Sequence, residues 1–450
     1  MTVDRPVVGE WPTPERKCAD VPVRGIASEW QRGAIVSAEH KGFPVDTVGR
    51  PVEELRGALS LTSNGFSTPA LLLAREAMES NIESMQGFCD RSGLLLAPHV
   101  KTTMSPEIVE LQLRHGAWGV TVATIAQAAV MREAGAARIV VANEIFDERG
   151  IEWLSGELDD DDGFDAFCQV DSEAGVDMLD RVMAAKKARR DFPVLIEFGI
   201  EGGRAGVRSV EEARVLAESI RRARYLRLAG VAGFEGIVGK GDGGERADEV
   251  WEYLTALRAV ADAVFPVREH SDPFLVTVGG SCYMEMVADV FGRSWISDRP
   301  MRTVLRSGCY VTHDSEAYEK FRVSIPGTVE ELRFRPGLEL WATVLSRPEK
   351  GLAILNFGRR ETGTDAGLPI PLWLLRRGRG RVCSAPPCVL SALNDQHAYL
   401  TGTGTGELNV DVGDLVGFGI SHPCTVFDKW RLIPVVDADR TMIGAVRTRF

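Results

Sequence analysis

Three small groups of residues in this 450-residue chain combine types and spacings that could do chemistry. The first is a single lysine, Lys101, in "APHVKTTMSP" (97–106), three residues past the apolar stretch "LLLAP". A lysine partly withdrawn from water at the end of a buried strand has its ammonium disfavoured, and the neutral amine can condense with a carbonyl to form an imine. Position alone leaves open the alternative of a loop lysine that reaches into water. The second group is "VTVGGSCYMEM", where Gly279, Gly280 and Ser281 precede a stretch able to start a helix. Two glycines let backbone amides approach an anion, the hydroxyl adds a donor, and a helix start adds positive potential, which together make a phosphate cradle. Ordinary turns use the same three residue types. The third group is "GFGISHPCTVFDKW", in which His422 and Cys424 stand two apart. On an extended segment both side chains leave from one face and suit a single metal ion, and a thiolate with an imidazole favours zinc among the common divalent ions. A buried cysteine beside a surface histidine is the other reading of so short a spacing. Nearby "LNDQHAYL" adds His397 with Asn394 and Asp395, which strengthens the expectation of a polar site in this part of the chain.

An imine-forming lysine paired with a later phosphate cradle points to a phosphate-bearing aldehyde, which describes pyridoxal phosphate (PLP). The elements that would have to position these groups are legible as a change of pattern along the chain. Residues 1–65 are rich in proline, glycine and charge and read as an N-terminal extension packed on a later domain. From Pro69 to about residue 315, short β-rich runs alternate with amphipathic stretches, the signature of βα units. The runs are "ALLL", "LLLAP", "WGVTV", "RIVVA", "AFCQV", "PVLIEF", "LRLAGVAG", "FLVTVGG" and "TVLRSG". About eight such units closing on themselves make a (β/α)8 barrel over 66–315, whose chemistry sits at the C-terminal ends of its strands. Lys101 and the Gly-Gly-Ser segment both follow strands on that face. Over 316–450 the helical period is gone, and "WATVLSR", "GLAILNFG", "DLVGFGI" and "WRLIPVV", separated by turns, read as a mainly antiparallel β domain carrying the metal pair. The acidic run "ELDDDDG" (157–163) reads as a solvated loop, and the basic "KKARR" as a helix end.

The segments "TPALLL", "PHVKTT", "IEFGIEGGRAGV", "VTVGGS", "LRSGCYVTHD" and "GISHPC" occur in an order that resembles the D-serine dehydratase and D-threonine aldolase family, over roughly residues 66–430. That family consists of metal-dependent PLP enzymes of the alanine-racemase-like fold, fold type III. The resemblance implies that Lys101 is the Schiff-base lysine and that Arg204 faces the pyridine nitrogen, leaving it unprotonated and the ring a weaker electron sink. It also implies that Phe234 lies at the ring, that Gly279, Gly280 and Ser281 take the phosphate, and that Tyr310 belongs to the matching late-strand motif. His422 and Cys424 match the metal ligands, with zinc the expected ion and manganese or magnesium the alternatives. A homodimer acting on a small D-amino acid is implied as well. Three positions depart from the family pattern. Thr103 stands where many relatives carry histidine, Phe234 replaces a more usual tyrosine, and "NDQHAYL" replaces an acidic residue with a His-Gly pair.

The resemblance, closer to the D-serine dehydratase branch, implies elimination of water from a D-3-hydroxy amino acid to give a 2-oxo acid and ammonia. Lys101 would take the α-proton, while the ion on His422 and Cys424 would hold the β-hydroxyl. Cysteine at 424 favours this outcome, because aldolase relatives tend to carry aspartate there. Retro-aldol cleavage to glycine and an aldehyde is the alternative, and a non-catalytic PLP-binding protein is the second. Composition excludes other classes. A net charge of -12 and the lack of a sustained basic patch argue against a nucleic-acid partner. No apolar run approaches the ~20 residues that cross a bilayer, and the N-terminus lacks the apolar core of a signal peptide, so a cytoplasmic protein free of membranes is expected. Its eight cysteines are then reduced thiols rather than a disulfide framework.

Overall fold

The computed structural model describes residues 34–63, 65–239, 244–267, 272–296, 300–316, 332–378, 380–404 and 407–450. The chain divides into two compact units. Over the described residues, one comprises 86–99 and 112–307 and the other 34–85, 100–111 and 308–450. The strands in chain order begin with β1 (Ala70–Ala74). Next come β2 (Leu95–Leu96), β3 (Val120–Val122), β4 (Arg138–Glu144), β5 (Asp165–Val170), β6 (Phe192–Phe198), β7 (Leu226–Gly233), β8 (Phe274–Val278) and β9 (Met301–Leu305). The series ends with β10 (Leu338–Glu349), β11 (Leu352–Leu355), β12 (Ile370–Leu375), β13 (Val382–Ser384), β14 (Cys388–Leu393), β15 (Ala398–Gly402), β16 (Leu415–Gly419), β17 (Leu432–Val436) and β18 (Met442–Arg447).

The first unit is a nearly closed parallel barrel. Its eight strands run in the order β2-β9-β8-β7-β6-β5-β4-β3. At the seam between β2 and β3 the ring is joined by a parallel bridge from His99 to Thr121 and by the hydrogen bond from Thr121 N to Pro98 O, 2.8 Å. Strands β5, β6 and β8 are buried at every position, as expected of strands covered by helices on one side and by the barrel interior on the other. Ala97, Trp118, Val140, Phe167, Leu195, Ala229, Leu275 and Val304, spread around the ring of strands, fill the interior. Helices α3 (Ile125–Glu133), α5 (Glu173–Lys186) and α6 (Val210–Arg222) start on Thr124, Ser172 and Ser209, whose hydroxyls accept from the third residue onward and satisfy an otherwise orphaned amide. With α1 (Arg75–Ser92), α2 (Pro106–Arg114) and α4 (Glu148–Asp160), and with α7 (Gly244–Val264) and α8 (Met284–Phe291) downstream, they complete the βα alternation.

Two expectations are corrected. The run "ALLL" is not a barrel strand: β1 pairs antiparallel with β10 and parallel with β17, inside the other sheet. A fully buried apolar run states that a strand is covered, not which strand is its neighbour. Nor is "ELDDDDG" wholly a loop, because α4 continues through Asp160. Arg132 pairs with Glu157 and Asp161 at 2.8 Å each, and Lys186 and Arg189 from the basic run sit on Asp159 and Asp160, so the acidic helix end is held by cations.

The second unit is built on a ten-stranded sheet whose main path runs β13-β12-β16-β10-β1-β17-β18, with β11, β15 and β14 continuing from β10. Residues 34–61 are part of it: Ala34, Val36, Phe43, Val52, Leu55 and Leu61 pack into one cluster with Leu72, Trp341, Leu432 and Met442. Residues 1–33 of the expected extension lie outside the described residues. Among the described residues no helix is long and apolar enough to cross a membrane.

Candidate functional site

In the second unit, Lys101 occupies the middle of a 3₁₀ turn, Val100–Thr102. Val100 and Thr102 are 2% and 1% exposed while Lys101 between them is exposed, so burial of its neighbours turns the lysine outward. Met104 N returns to Val100 O at 2.8 Å and closes the turn. Thr103 is buried, and its hydroxyl accepts from Ser105 N at 3.4 Å. A hydroxyl so placed supports the local backbone.

His422 and Cys424 come together, but not on a continuous extended segment. His422 is extended and caps a 3₁₀ turn, Pro423–Thr425, that contains Cys424; proline at the first position sets the turn's φ. The turn brings both side chains to a third donor that sequence spacing did not reveal. Cys309, in the buried turn Cys309–Val311, has its Sγ 3.0 Å from Cys424 Sγ and 4.0 Å from His422 Nε2. One ligand atom from each of the three residues lies within 4.8 Å of the others. Thr102, next to Lys101, directs its Oγ1 to both sulfurs, at 3.3 Å from Cys424 and 3.9 Å from Cys309.

Asp365 holds the other side of the imidazole. Its Oδ2 is 2.5 Å from His422 Nδ1, and its Oδ1 accepts from Thr425 Oγ1 at 2.7 Å, so one carboxylate clamps both ends of the turn. A carboxylate on Nδ1 fixes the tautomer that leaves Nε2 free to bind a metal. The same contacts also favour keeping protons on the cluster, which a bound ion would have to displace. Cys309, with Asp365 behind it, outweighs burial and raises His422 to about 9. Contact with Cys309 and burial push the Cys424 thiol well above the usual thiol range. Burial would raise Asp365, yet hydrogen bonds from Thr425 and His422 hold it below the usual carboxylate value. Two sulfurs and an imidazole in mutual contact, backed by a carboxylate, are a donor set that fits a zinc-like ion. His397 does not join it: the residue is exposed, and its carbonyl accepts from Asn394 N at 2.9 Å to close the hairpin between β14 and β15. Tyr310 is buried, its ring 6.0 Å from that of Phe334.

In the first unit, Gly279, Gly280 and Ser281 follow β8 and precede α8. Glycine is required at both positions: a Cβ on Gly279 would lie 2.3 Å from the Phe234 ring, and one on Gly280, at φ +68°, would lie 2.0 Å from Leu305. The amide of Gly280 is already engaged, donating to Glu235 Oε1, while its carbonyl accepts from Ser307 Oγ at 2.8 Å. The Gly280 amide is therefore taken by a protein carboxyl, which leaves it unavailable to the phosphate expected at this loop. Burial raises Glu235 above the usual carboxylate value, opposed by amide hydrogen bonds and by the charge of Arg306. The Arg306 guanidinium, itself buried, donates to Thr277 Oγ1 at 2.8 Å and Gly233 O at 2.7 Å and ties β7, β8 and β9 together below the loop. Arg204 is exposed and lies over the Phe234 ring, 4.5 Å from its centroid. The two line a pocket with Glu197, Ile200, Ile237 and Tyr253. Cys309, Asp365, Glu235 and Arg306 escaped sequence reasoning; Cys309 and Arg306 lie within "LRSGCYVTHD", but no spacing rule ties them to their partners.

Residues 73–283 match the alanine racemase N-terminal domain, and residues 337–436 match a serine dehydratase domain. The chain is 26% identical over 364 residues to D-threonine aldolase of Arthrobacter sp, covering 80% of this chain and 86% of that one. It is 27% identical over 397 residues to D-threo-3-hydroxyaspartate dehydratase of Delftia sp. (strain HT23), covering 85% and 96%. Among solved structures, D-threonine aldolase from Filomicrobium marinum superposes with a TM-score of 0.71 at 23% identity, over 87% of this chain and 96% of that one.

Proposed function

We propose, from its likeness to alanine-racemase-like, fold type III PLP-dependent lyases, that this chain eliminates water from a D-3-hydroxy amino acid to give a 2-oxo acid and ammonia. The supporting observation is the turn Val100–Thr102, which carries Lys101 and sets the Thr102 hydroxyl against the sulfurs of Cys309 and Cys424. A base and a metal-binding cluster on neighbouring turns suit a reaction that removes a proton from one carbon and an oxygen from the next.

When bound, PLP supplies the electron sink for the α-carbon and zinc supplies Lewis acidity toward the β-oxygen, with manganese or magnesium as the alternative ions. Lys101 would hold the cofactor's aldehyde, and its Nζ is the group that would take the α-proton. His422 and Cys424 would hold the ion, with Asp365 on Nδ1 fixing the orientation of the His422 ring. Ser281 and the amides after it would bind the phosphate, while Glu235 and Ser307 hold Gly280 in shape. Arg204, stacked on Phe234, would face the pyridine nitrogen. Thr103 lacks the titratable group that would deprotonate a β-hydroxyl, which disfavours retro-aldol cleavage. The active form is proposed to be a homodimer.

The test is product analysis of the holoenzyme with D-serine, D-threonine and both stereochemical series of 3-hydroxyaspartate. Ammonia and a 2-oxo acid from D substrates, with L-enantiomers inert, is the expected outcome. Glycine plus an aldehyde, with no ammonia from any D substrate, would replace the proposal with the aldolase. No turnover of any hydroxy amino acid by a PLP-loaded, zinc-loaded protein would favour the cofactor-binding alternative.

A further inference from the structure

We infer that Cys309 is a third protein ligand, so that the metal centre is a Cys2His site with one position left open. This rests on the reading of the cluster as a metal site and goes beyond the His422 and Cys424 pair. Cys309 is 7% exposed, on a turn whose carbonyl accepts from Thr312 N at 3.3 Å and His313 N at 2.8 Å, so its Cα is fixed independently of the His422 turn. Its Sγ contacts both other donors, at 3.0 Å and 4.0 Å. An ion bound at about 2.3 Å to each sulfur and about 2.0 Å to the imidazole nitrogen sets the sulfurs about 3.8 Å apart in a tetrahedron. The thiols reach that spacing by separating about 0.8 Å, and His422 Nε2 is already near its place. An ion held by His422 and Cys424 alone would have to leave a thiol already in contact with both ligands outside its shell.

The third thiolate changes the chemistry of the site. Two thiolates neutralise a divalent zinc ion, which tightens binding and selects against the hard ions manganese and magnesium. Three protein ligands leave the fourth tetrahedral position for a substrate oxygen, the arrangement of catalytic rather than structural zinc. The Thr102 hydroxyl, shared between the sulfurs, is then a donor that tempers their charge.

Zinc-edge X-ray absorption on the PLP-loaded full chain tests this directly, alongside zinc affinity by chelator competition. The wild type should show two sulfur scatterers, and Cys309→Ala and Cys309→Ser one, with affinity at least about 100-fold weaker and the PLP absorption band unchanged. Cys383→Ala, at an exposed thiol, should match the wild type in both measurements. One sulfur in the wild type would overturn the third ligand and leave the His422 and Cys424 site standing, an outcome that does not depend on any variant folding. A fully reduced wild type that binds no zinc would overturn the third ligand and the metal site together.

Discussion

Asp365 separates holding the histidine from ligating the metal. Its carboxylate spans His422 Nδ1 and Thr425 Oγ1, at 2.5 Å and 2.7 Å, and touches neither sulfur by any hydrogen bond seen among the described residues. Replacing it with asparagine keeps the shape but removes the charge that favours the Nδ1–H tautomer. Zinc affinity of Asp365→Asn should therefore fall about 10–100-fold, measured by competition with a chromogenic chelator, while cofactor absorption stays unchanged. Unaltered affinity would show that the turn itself suffices to aim the ring. The same scale explains why Lys101 could be proposed from sequence and Cys309 could not. Lys101 declares itself by following an apolar run, whereas Cys309 meets His422 across 113 residues and Cys424 across 115.

The strands of the barrel create their own electrostatics where carboxyls on nearby strands converge. Glu144 ends β4 and Glu197 lies in β6, with Asp171 just after β5. Burial, then proton sharing with Glu197 and the charges of Glu197 and Asp171, push Glu144 up to about 8 from an ordinary 4.5. Its folded-state value is raised, so between those two values the folded chain keeps a proton that the unfolded chain has lost. Stability therefore falls as pH rises through that window, and the loss is complete above about 8. Glu144→Gln should be nearly neutral at about pH 5 and raise Tm by about 2 °C at about pH 9, a small gain because the carboxyl is partly screened by water. Thermal unfolding followed by fluorescence at both values checks this, and equal shifts at the two would remove the carboxyl pair as the cause.

For the molecule as a whole, an ion on Cys309, His422 and Cys424 would tie distant segments within one of the two compact units. Cys309 and the His422 turn belong to the second unit, and so do Lys101 and Asp365. An ion that binds the folded state and not the unfolded chain adds about 4 kcal/mol when present at 1,000 times its Kd. Chelation of the holoenzyme should accordingly lower Tm by about 8 °C, with stoichiometric zinc restoring it and magnesium failing to. Calorimetry with and without chelator measures the effect, and an unchanged Tm would show that the cluster forms without help from an ion.

The barrel and the β domain were legible in the sequence because each rests on a local rule. Periodicity of two or 3.6, hydroxyls at helix starts, and glycines where a Cβ would collide are written within a few residues of where they act. Lys101, Gly279, Gly280, Ser281, His422 and Cys424 could be proposed for the same reason, since each forms part of a short segment. Tertiary structure decided what depends on distant segments meeting. It placed β1 between β10 and β17 rather than in the barrel, and it set the Glu235 carboxylate on the Gly280 amide. It also put Asp365 behind His422, 57 residues away, and brought Cys309 to the metal pair. An apolar run or a lone cysteine carries the same local signal whatever its partner is, and the partner is chosen only when the whole chain packs.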